Sequence, residues 1–513
     1  MKLFDIDWQL VLGQLCYDPK SPMIFSTGIF LFLFLGFTLV YNLLDKQTTL
    51  RLLFVTLFSY YFYYKSSGFY FFLLFVVSMS DFLIALLIDR NNRKQVMTDG
   101  VATVKKPFVN KLLLGLSLMV DIGILVYFKY TNFFGSCWAS LTGGTWDMLD
   151  IFLPVGVSFF TFQSLSYTFD IYRRKLQPLH NFLDYAFFVS FFPQLVAGPI
   201  VRAKDFIPQI RKPLFVSNEM FGRAIFLIIC GLIKKAVISD YISVNFIDRV
   251  FDQPLLYTGV ENLFAIFGYT LQLYCDFSGY SDMAIGIALL LGFRFPKNFD
   301  APFKAQSITE VWRRWHISLS SWLKDYVYIS FGGNRHGKLR QYVNLLLTML
   351  IGGLWHGAAF TFILWGGFHG VCLVIEKIYM ELRRRSDSTY NIADRSTGVK
   401  GFVRTIVTFI LFVFAFLYFR APSISIGNQM VSQVFTKFSP QVLPQWIAGY
   451  WGVFILMTVG FVSHFLPSSW NDKVQGWITR CPLVVQALLI VAVIYLVIQI
   501  KSSDVQPFIY FQF

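Results

Sequence analysis

Two histidines stand out by their surroundings. His356 lies in Trp355-His356-Gly357, inside a run from Val343 to Ile375 that holds six glycines, two histidines and no Asp, Glu, Lys or Arg over 33 residues. Imidazole is the side chain that exchanges a proton most readily near neutral pH, and an ionisable group at membrane depth marks a functional site unless it merely bridges two helices. Forty residues upstream, His316 closes Trp312-Arg313-Arg314-Trp315-His316. The sequence contains no His-Glu-x-x-His, Gly-x-Ser-x-Gly or dinucleotide glycine pattern, which leaves histidine and carboxylate as the acid–base groups on which chemistry can rest. His369, in Gly366-Gly367-Phe368-His369-Gly370, reads as a packing residue, and His180, His336 and His464 read as loop or surface residues. Asp276 and Asp282 read either as polar contacts between helices or as the lining of a cavity. The six cysteines are scattered without Cys-x-x-Cys spacing, so neither a disulfide framework nor a zinc site is expected.

The elements that must position these residues follow from length and pattern. A 33-residue helix would reach roughly 50 Å, well past a hydrocarbon core of about 30 Å, yet two complete spans and a turn need more chain. Two shortened helices meeting at Gly352–Ala359 are therefore expected, with the break at His356. Upstream, Ser307-Ile308-Thr309-Glu310 has the capping-box form and predicts a helix over 308–326. On it Trp312, Trp315, Leu319, Trp322 and Tyr326 make one stripe and Arg313, Ser320 and Lys324 another, the pattern of a helix lying at the membrane interface. His316 falls at the border between the two. A basic glycine-rich loop, Phe331-Gly332-Gly333-Asn334-Arg335-His336-Gly337-Lys338, comes next. The apolar block at 184–200 carries Pro193, Gly198 and Pro199 between basic flanks, and reads as re-entrant.

With 513 residues, 56% hydrophobic, 14% charged and a mean hydropathy of +0.56, the chain is an all-α polytopic membrane protein. The net charge of +15 does not point to nucleic acid, because Lys and Arg fall in loops between apolar blocks, as the positive-inside bias requires. That bias puts the basic loop 89–111 in the cytoplasm and, counting back through three spans, the N-terminus outside. A single integral membrane domain over 1–513 is expected, with about 10–12 membrane-inserted elements and a mobile cytoplasmic loop at 377–404. No internal repeat is present, which counts against a proton-coupled transporter using His356 and Asp282.

Several ordered motifs between about 150 and 372 resemble those of the membrane-bound O-acyltransferase family, in the bacterial branch that contains the alginate O-acetyltransferases. They are Leu153-Pro154-Val155-Gly156-Val157-Ser158-Phe159-Phe160-Thr161-Phe162-Gln163, Phe192-Pro193-Gln194-Leu195-Val196-Ala197-Gly198-Pro199-Ile200, the stretch from Asp276 to Gly286, Trp312–Ser320, and Gly352–Ala358. The terminal Phe508–Phe513 resembles the ending of these proteins. The resemblance implies a ring of membrane helices with re-entrant elements around a central funnel, and a catalytic pair in His356 and His316. It implies a cytoplasmic acyl donor, acetyl-CoA, and an acceptor reached from outside. Direct activation of an acceptor hydroxyl by His356 and a relay through an acetyl-enzyme are both compatible with it. Trp355, Asp282, Arg313 and Asn334 match surrounding motif text, and Arg313, Arg314, Lys324, Arg335 and Lys338 are the cations expected to hold donor phosphates. Implied too are a bacterial inner-membrane location and a periplasmic SGNH-type transferase as partner; the nearest alternative is D-alanyl transfer to teichoic acid.

Overall fold

The computed structural model describes residues 13–500 except 20, 99, 100, 105 and 393, so Phe508–Phe513 lies outside the described residues. Helices dominate. Among the described residues the one departure from an all-α description is an antiparallel hairpin in which Gln95–Thr98 pairs with Val101–Val104, inside the basic loop. Among the described residues five helical stretches are long and apolar enough to cross a membrane: Thr48–Arg93, Pro107–Thr142, Phe360–Arg384, Gly398–Arg420 and Leu483–Ile500. Pro440–Gly449 and Trp451–Phe465, bent by 98°, make a sixth if taken together. Side chains such as Phe32, Leu43, Leu483 and Val484 point outward, an apolar exterior suited to lipid. The chain is a multi-pass membrane protein.

By its internal contacts the chain divides into two compact units, Met1–Val216 with Ile287–Phe295, and Ser217–Gly286 with Pro296–Phe513. In the first, helices Phe71–Arg93, Pro107–Leu125 and Val157–Tyr172 pack on one another. The block read as re-entrant is a broken element there. Helix Phe182–Ser190, capped by the Asn181 side chain, stops at Phe191, and a single turn Phe192–Leu195 follows. Residues 184–201 are buried throughout. Irregular backbone at membrane depth survives only under such cover.

In the second unit, the helical run from Asn218 to Asp252 contains two π-helical segments, Ile233–Ser239 and Ser243–Ile247, and lies against helix Gly259–Leu290. The two backbones touch at Gly279, where a β-carbon would stand 2.8 Å from the carbonyl oxygen of Gly231. Three residues to either side, Asp276 pairs with Lys235 at 2.5 Å and Asp282 with Lys234 at 2.6 Å. Ion pairs thus flank the closest approach, and both carboxylates serve the helix contact. The segment expected to be a mobile loop, 377–404, is helical to Arg384 and again from Gly398. Arg404 binds the carbonyls of Asp394 and Gln306 and the Ser396 hydroxyl, while Ser396 and Gln306 exchange backbone–side-chain hydrogen bonds.

Candidate active site

His356 is the last residue of helix Lys338–His356, and Phe360–Arg384 begins four residues later. The break falls where the glycines put it, although the helices run beyond the charge-free block at both ends; the second is 25 residues long and is not shortened. The glycines act through contact. A β-carbon on Gly353 would strike the Phe362 carbonyl, one on Gly366 the Met349 carbonyl, and one on Gly357 the ring of Phe362. The two helices therefore approach backbone to backbone directly below the break, and His356 is turned into the space they enclose with aromatic residues.

His316 reaches the same place by a different device. The helix predicted over 308–326 begins as expected: the Ser307 hydroxyl accepts from the Glu310 N–H at 3.1 Å, and the Glu310 carboxylate accepts from the Gln306 N–H at 2.8 Å. It ends at Arg314, and Ile317–Trp322 starts a new helix. His316 sits in the break with φ 42°, ψ 55°, a left-handed conformation that costs a non-glycine residue about 1–2 kcal/mol. The segment Asn298–Asp300 holds it there. Ile317 donates its N–H to the Asn298 carbonyl (2.9 Å), Ser318 donates its hydroxyl (2.9 Å) and N–H (3.2 Å) to Asn298 Oδ1, and Asp300 donates its N–H to the Arg314 carbonyl (2.8 Å). Asn298 Nδ2 in turn donates to Ser281 on helix Gly259–Leu290 at 3.0 Å. The tryptophan stripe does not lie on lipid: Trp315, Leu319, Trp322 and Tyr326 are buried inside the unit, because the break rotates the second half of the element into the protein.

The two imidazoles are 6.5 Å apart, centre to centre, and 0% (His316) and 2% (His356) exposed. Trp355 lies 4.9 Å from His356 and 6.0 Å from His316; Trp365 and Phe419 meet His356 edge-on at 5.1 Å, and Phe277 meets His316 at 4.6 Å. Both rings can reach one reacting centre about 3 Å from each, in surroundings that exclude water and strengthen any charge–dipole contact. His369 joins the group, fully buried between Trp312 (5.2 Å) and Trp365 (4.9 Å). His464, expected at the surface, is buried instead: it accepts from the Phe303 N–H at 3.1 Å and packs on Tyr274. Its flanking helix ends inside the unit, which the apolar pattern alone did not reveal.

The other candidate residues separate into two groups. Arg314 is held by Glu310 (2.8 Å) and Asp300, and Asp282 by Lys234 (2.6 Å). Asn334, Arg335 and Lys324 are exposed. The glycine-rich loop is fixed from below by Asn344, whose amide donates to the carbonyls of Phe331 and Gly333. Lys338 pairs with Glu381 at 2.9 Å. Arg313 alone lines a cavity, of about 380 Å³, together with Thr309, Gln341, Lys377, Arg384 and Asn391. Lys377 and Arg384 were missed at the sequence level. They continue the stripe Trp365, His369, Leu373 at i+4 and i+7 spacing, a signal visible only by carrying the helix past Ile375. Helix Phe360–Arg384 thus links the histidines to a cavity with three cations, with ~18 Å of helical rise between Trp365 and Lys377.

The family model that matches this chain is that of MBOAT, the membrane-bound O-acyltransferase family, over residues 56–420. The chain belongs to this family. A probable alginate O-acetylase AlgI of Pseudomonas putida is 36% identical over 96% of this chain and 100% of its own length. The peptidoglycan O-acetyltransferase of Helicobacter pylori is 37% identical over 61% of this chain and 63% of its own, and the teichoic acid D-alanyltransferase of Bacillus subtilis 30% identical over 45% and 60%. This MBOAT protein is therefore an O-acyltransferase, and both histidines lie within the matched region.

Proposed function

We propose that the protein transfers an acetyl group from cytoplasmic acetyl-CoA through the bilayer for O-acetylation of an extracytoplasmic polysaccharide. The observation that carries this reading is the pair of buried imidazoles 6.5 Å apart, joined by one helix to a cation-lined cavity. Arg313, Lys377 and Arg384 are suited to the donor phosphates through charge-assisted hydrogen bonds. The pantetheine arm then follows the helix stripe toward the aromatic box, a helical rise of ~18 Å from Lys377 to Trp365. His356, as a neutral imidazole, takes the proton of the acceptor hydroxyl as the oxygen attacks the thioester carbonyl. The thiolate of coenzyme A leaves, and His316 stabilises the oxyanion between these steps. Trp355 spaces the two rings. Alternatively His356 itself takes the acetyl group and passes it on.

The acceptor is alginate, cellulose, another exopolysaccharide or peptidoglycan, reached with a periplasmic SGNH-type partner. This reading has the protein act in the bacterial inner membrane as one domain with its N-terminus outside. Transfer of D-alanine to teichoic acid is the second reading, supported by the relative in Bacillus subtilis. A strain lacking the gene, complemented with wild type or His356→Ala at matched membrane levels, tests the proposal through the acetate that mild alkali releases from envelope and secreted polysaccharides. Ester acetate restored by wild type and not by His356→Ala supports it. Restoration by both removes His356 from the chemistry, and released D-alanine in place of acetate selects the second reading. Labelled acetyl recovered on the protein before acceptor is added distinguishes the relay from direct attack.

A further inference from the structure

A second set of buried charges lies in the first compact unit, and acyl transfer makes no use of it. Where helices Phe71–Arg93, Pro107–Leu125 and Val157–Tyr172 meet, Asp81 and Asp121 face each other, both fully buried. Their carboxyl groups are close enough to act on each other directly. Ser117, one turn before Asp121, donates to Asp81 Oδ1 at 2.7 Å. Ser164 and Thr168, one turn apart on the third helix, present their hydroxyls to Asp81. Ser164 also lies 3.2 Å from the hydroxyl of Tyr185.

The donors do not match the acceptors. Asp81 Oδ2, both oxygens of Asp121 and Thr168 Oγ1 complete no hydrogen bond among the described residues. Among the described residues no Lys, Arg or His stands against either carboxyl group; the titratable groups near the pair are Tyr167 and Tyr185. Two carboxyl groups this close and out of water cannot both stand ionised by themselves, so either a shared proton or a bound cation must neutralise the pair. The available ligands are carboxylate and hydroxyl oxygens only, which suit a hard cation. Magnesium holds its waters tightly and calcium seeks six to eight oxygens, whereas this site offers two carboxyl groups and the hydroxyls of Ser117, Ser164 and Thr168. Thr168, fully buried and turned toward Asp81, completes no hydrogen bond among the described residues and is the neutral ligand such an ion uses.

We propose that Asp81, Asp121, Ser164 and Thr168 form a binding site for one Na+ that ties these three helices together. The inference is independent of acyl transfer. Its test uses the full chain in detergent, with the melting temperature followed against NaCl, KCl, choline chloride and CaCl2 at constant ionic strength, and with direct binding of radioactive Na+. A saturable rise in melting temperature specific to Na+, and about one ion bound per chain, is expected. Asp81→Asn and Asp121→Asn should each abolish the rise, and Thr168→Val should weaken the apparent affinity about tenfold. If the Asn variants do not fold, Thr168→Val and the direct binding measurement decide. Equal melting in all salts, a response to Ca2+ alone, or a rise that survives either Asn substitution overturns the proposal. So does stability that follows pH with no response to Na+, which would show that the pair holds a shared proton instead.

Discussion

The two helix breaks that deliver the histidines are built in opposite ways. Below His356 the break is local: Gly353, Gly357 and Gly366 remove the side chains that would separate two helices, and the chain turns where the backbones meet. At His316 the break is imposed from outside. A residue with a full side chain is held left-handed by Asn298 and Asp300, which grip the chain at Arg314, Ile317 and Ser318. The first break depends on what is missing and the second on what reaches in, so substitutions should damage them differently.

The sharpest expectation is chemical. His356→Ala should reduce acyl transfer by about 10²–10⁴-fold with the fold intact, the range for loss of a general base. Thioester consumption by the purified protein in vesicles, together with its melting temperature, measures both. If His316→Ala costs much less than His356→Ala, the two breaks do not deliver equivalent groups. Next, Gly353→Leu should destabilise the protein by about 1–3 kcal/mol or more, because the added side chain meets backbone that cannot move aside. Thermal melting that is unchanged would show that the close approach is not required. Asn298→Ala should cost ~1–3 kcal/mol through its lost hydrogen bonds and the polar groups they leave buried. Its diagnostic is turnover, which should fall at unchanged donor KM, because His316 relaxes toward ordinary helix; equal loss in both parameters would mark Asn298 as structural only.

Smaller effects lie further from the breaks. Lys377→Gln and Arg384→Gln should each raise the donor KM roughly fivefold, about 1 kcal/mol, and flatten its salt dependence, with little change in turnover at saturation. The smallest effect concerns the bracket itself. Partial burial raises the Asp300 carboxyl, but Lys297 and Arg314 outweigh it and hold the carboxyl below the usual carboxylate range. A lowered folded-state pKa contributes stability above the unfolded value of about 4, lost as the pH falls through the folded one. Melting of Asp300→Asn against wild type should therefore show a gap of tenths of a kcal/mol near neutrality that closes on acidification, since the group is half exposed.

His356 was legible because its signal is continuous in sequence: a charge-free run, clustered glycines and a histidine at the break. The capping box at Ser307 was legible for the same reason, since Ser307 and Glu310 satisfy donors one turn away. The continuation of that helix through His316 was expected from spacing and did not occur, because Asn298 lies 18 residues away and no local pattern announces its hydrogen bonds. His464 and the tryptophan stripe share that cause. Periodicity says that a face is apolar, and cannot say whether lipid or protein covers it.

Composition, hydropathy and local pattern by themselves determined that the chain lives in a membrane, that a helix starts at the Ser307 cap and that the second of two histidines sits at a break, because each follows from interactions within a few turns or from the thickness of the hydrocarbon. Only the tertiary structure decided that His316 and His356 share one aromatic box, that Arg314 pairs with Glu310 and Asp282 with Lys234, and that Lys377 and Arg384 join Arg313 in one cavity. Those facts depend on which faces meet across tens to hundreds of residues, and side chains of the same type at the same local spacing are compatible with many such meetings.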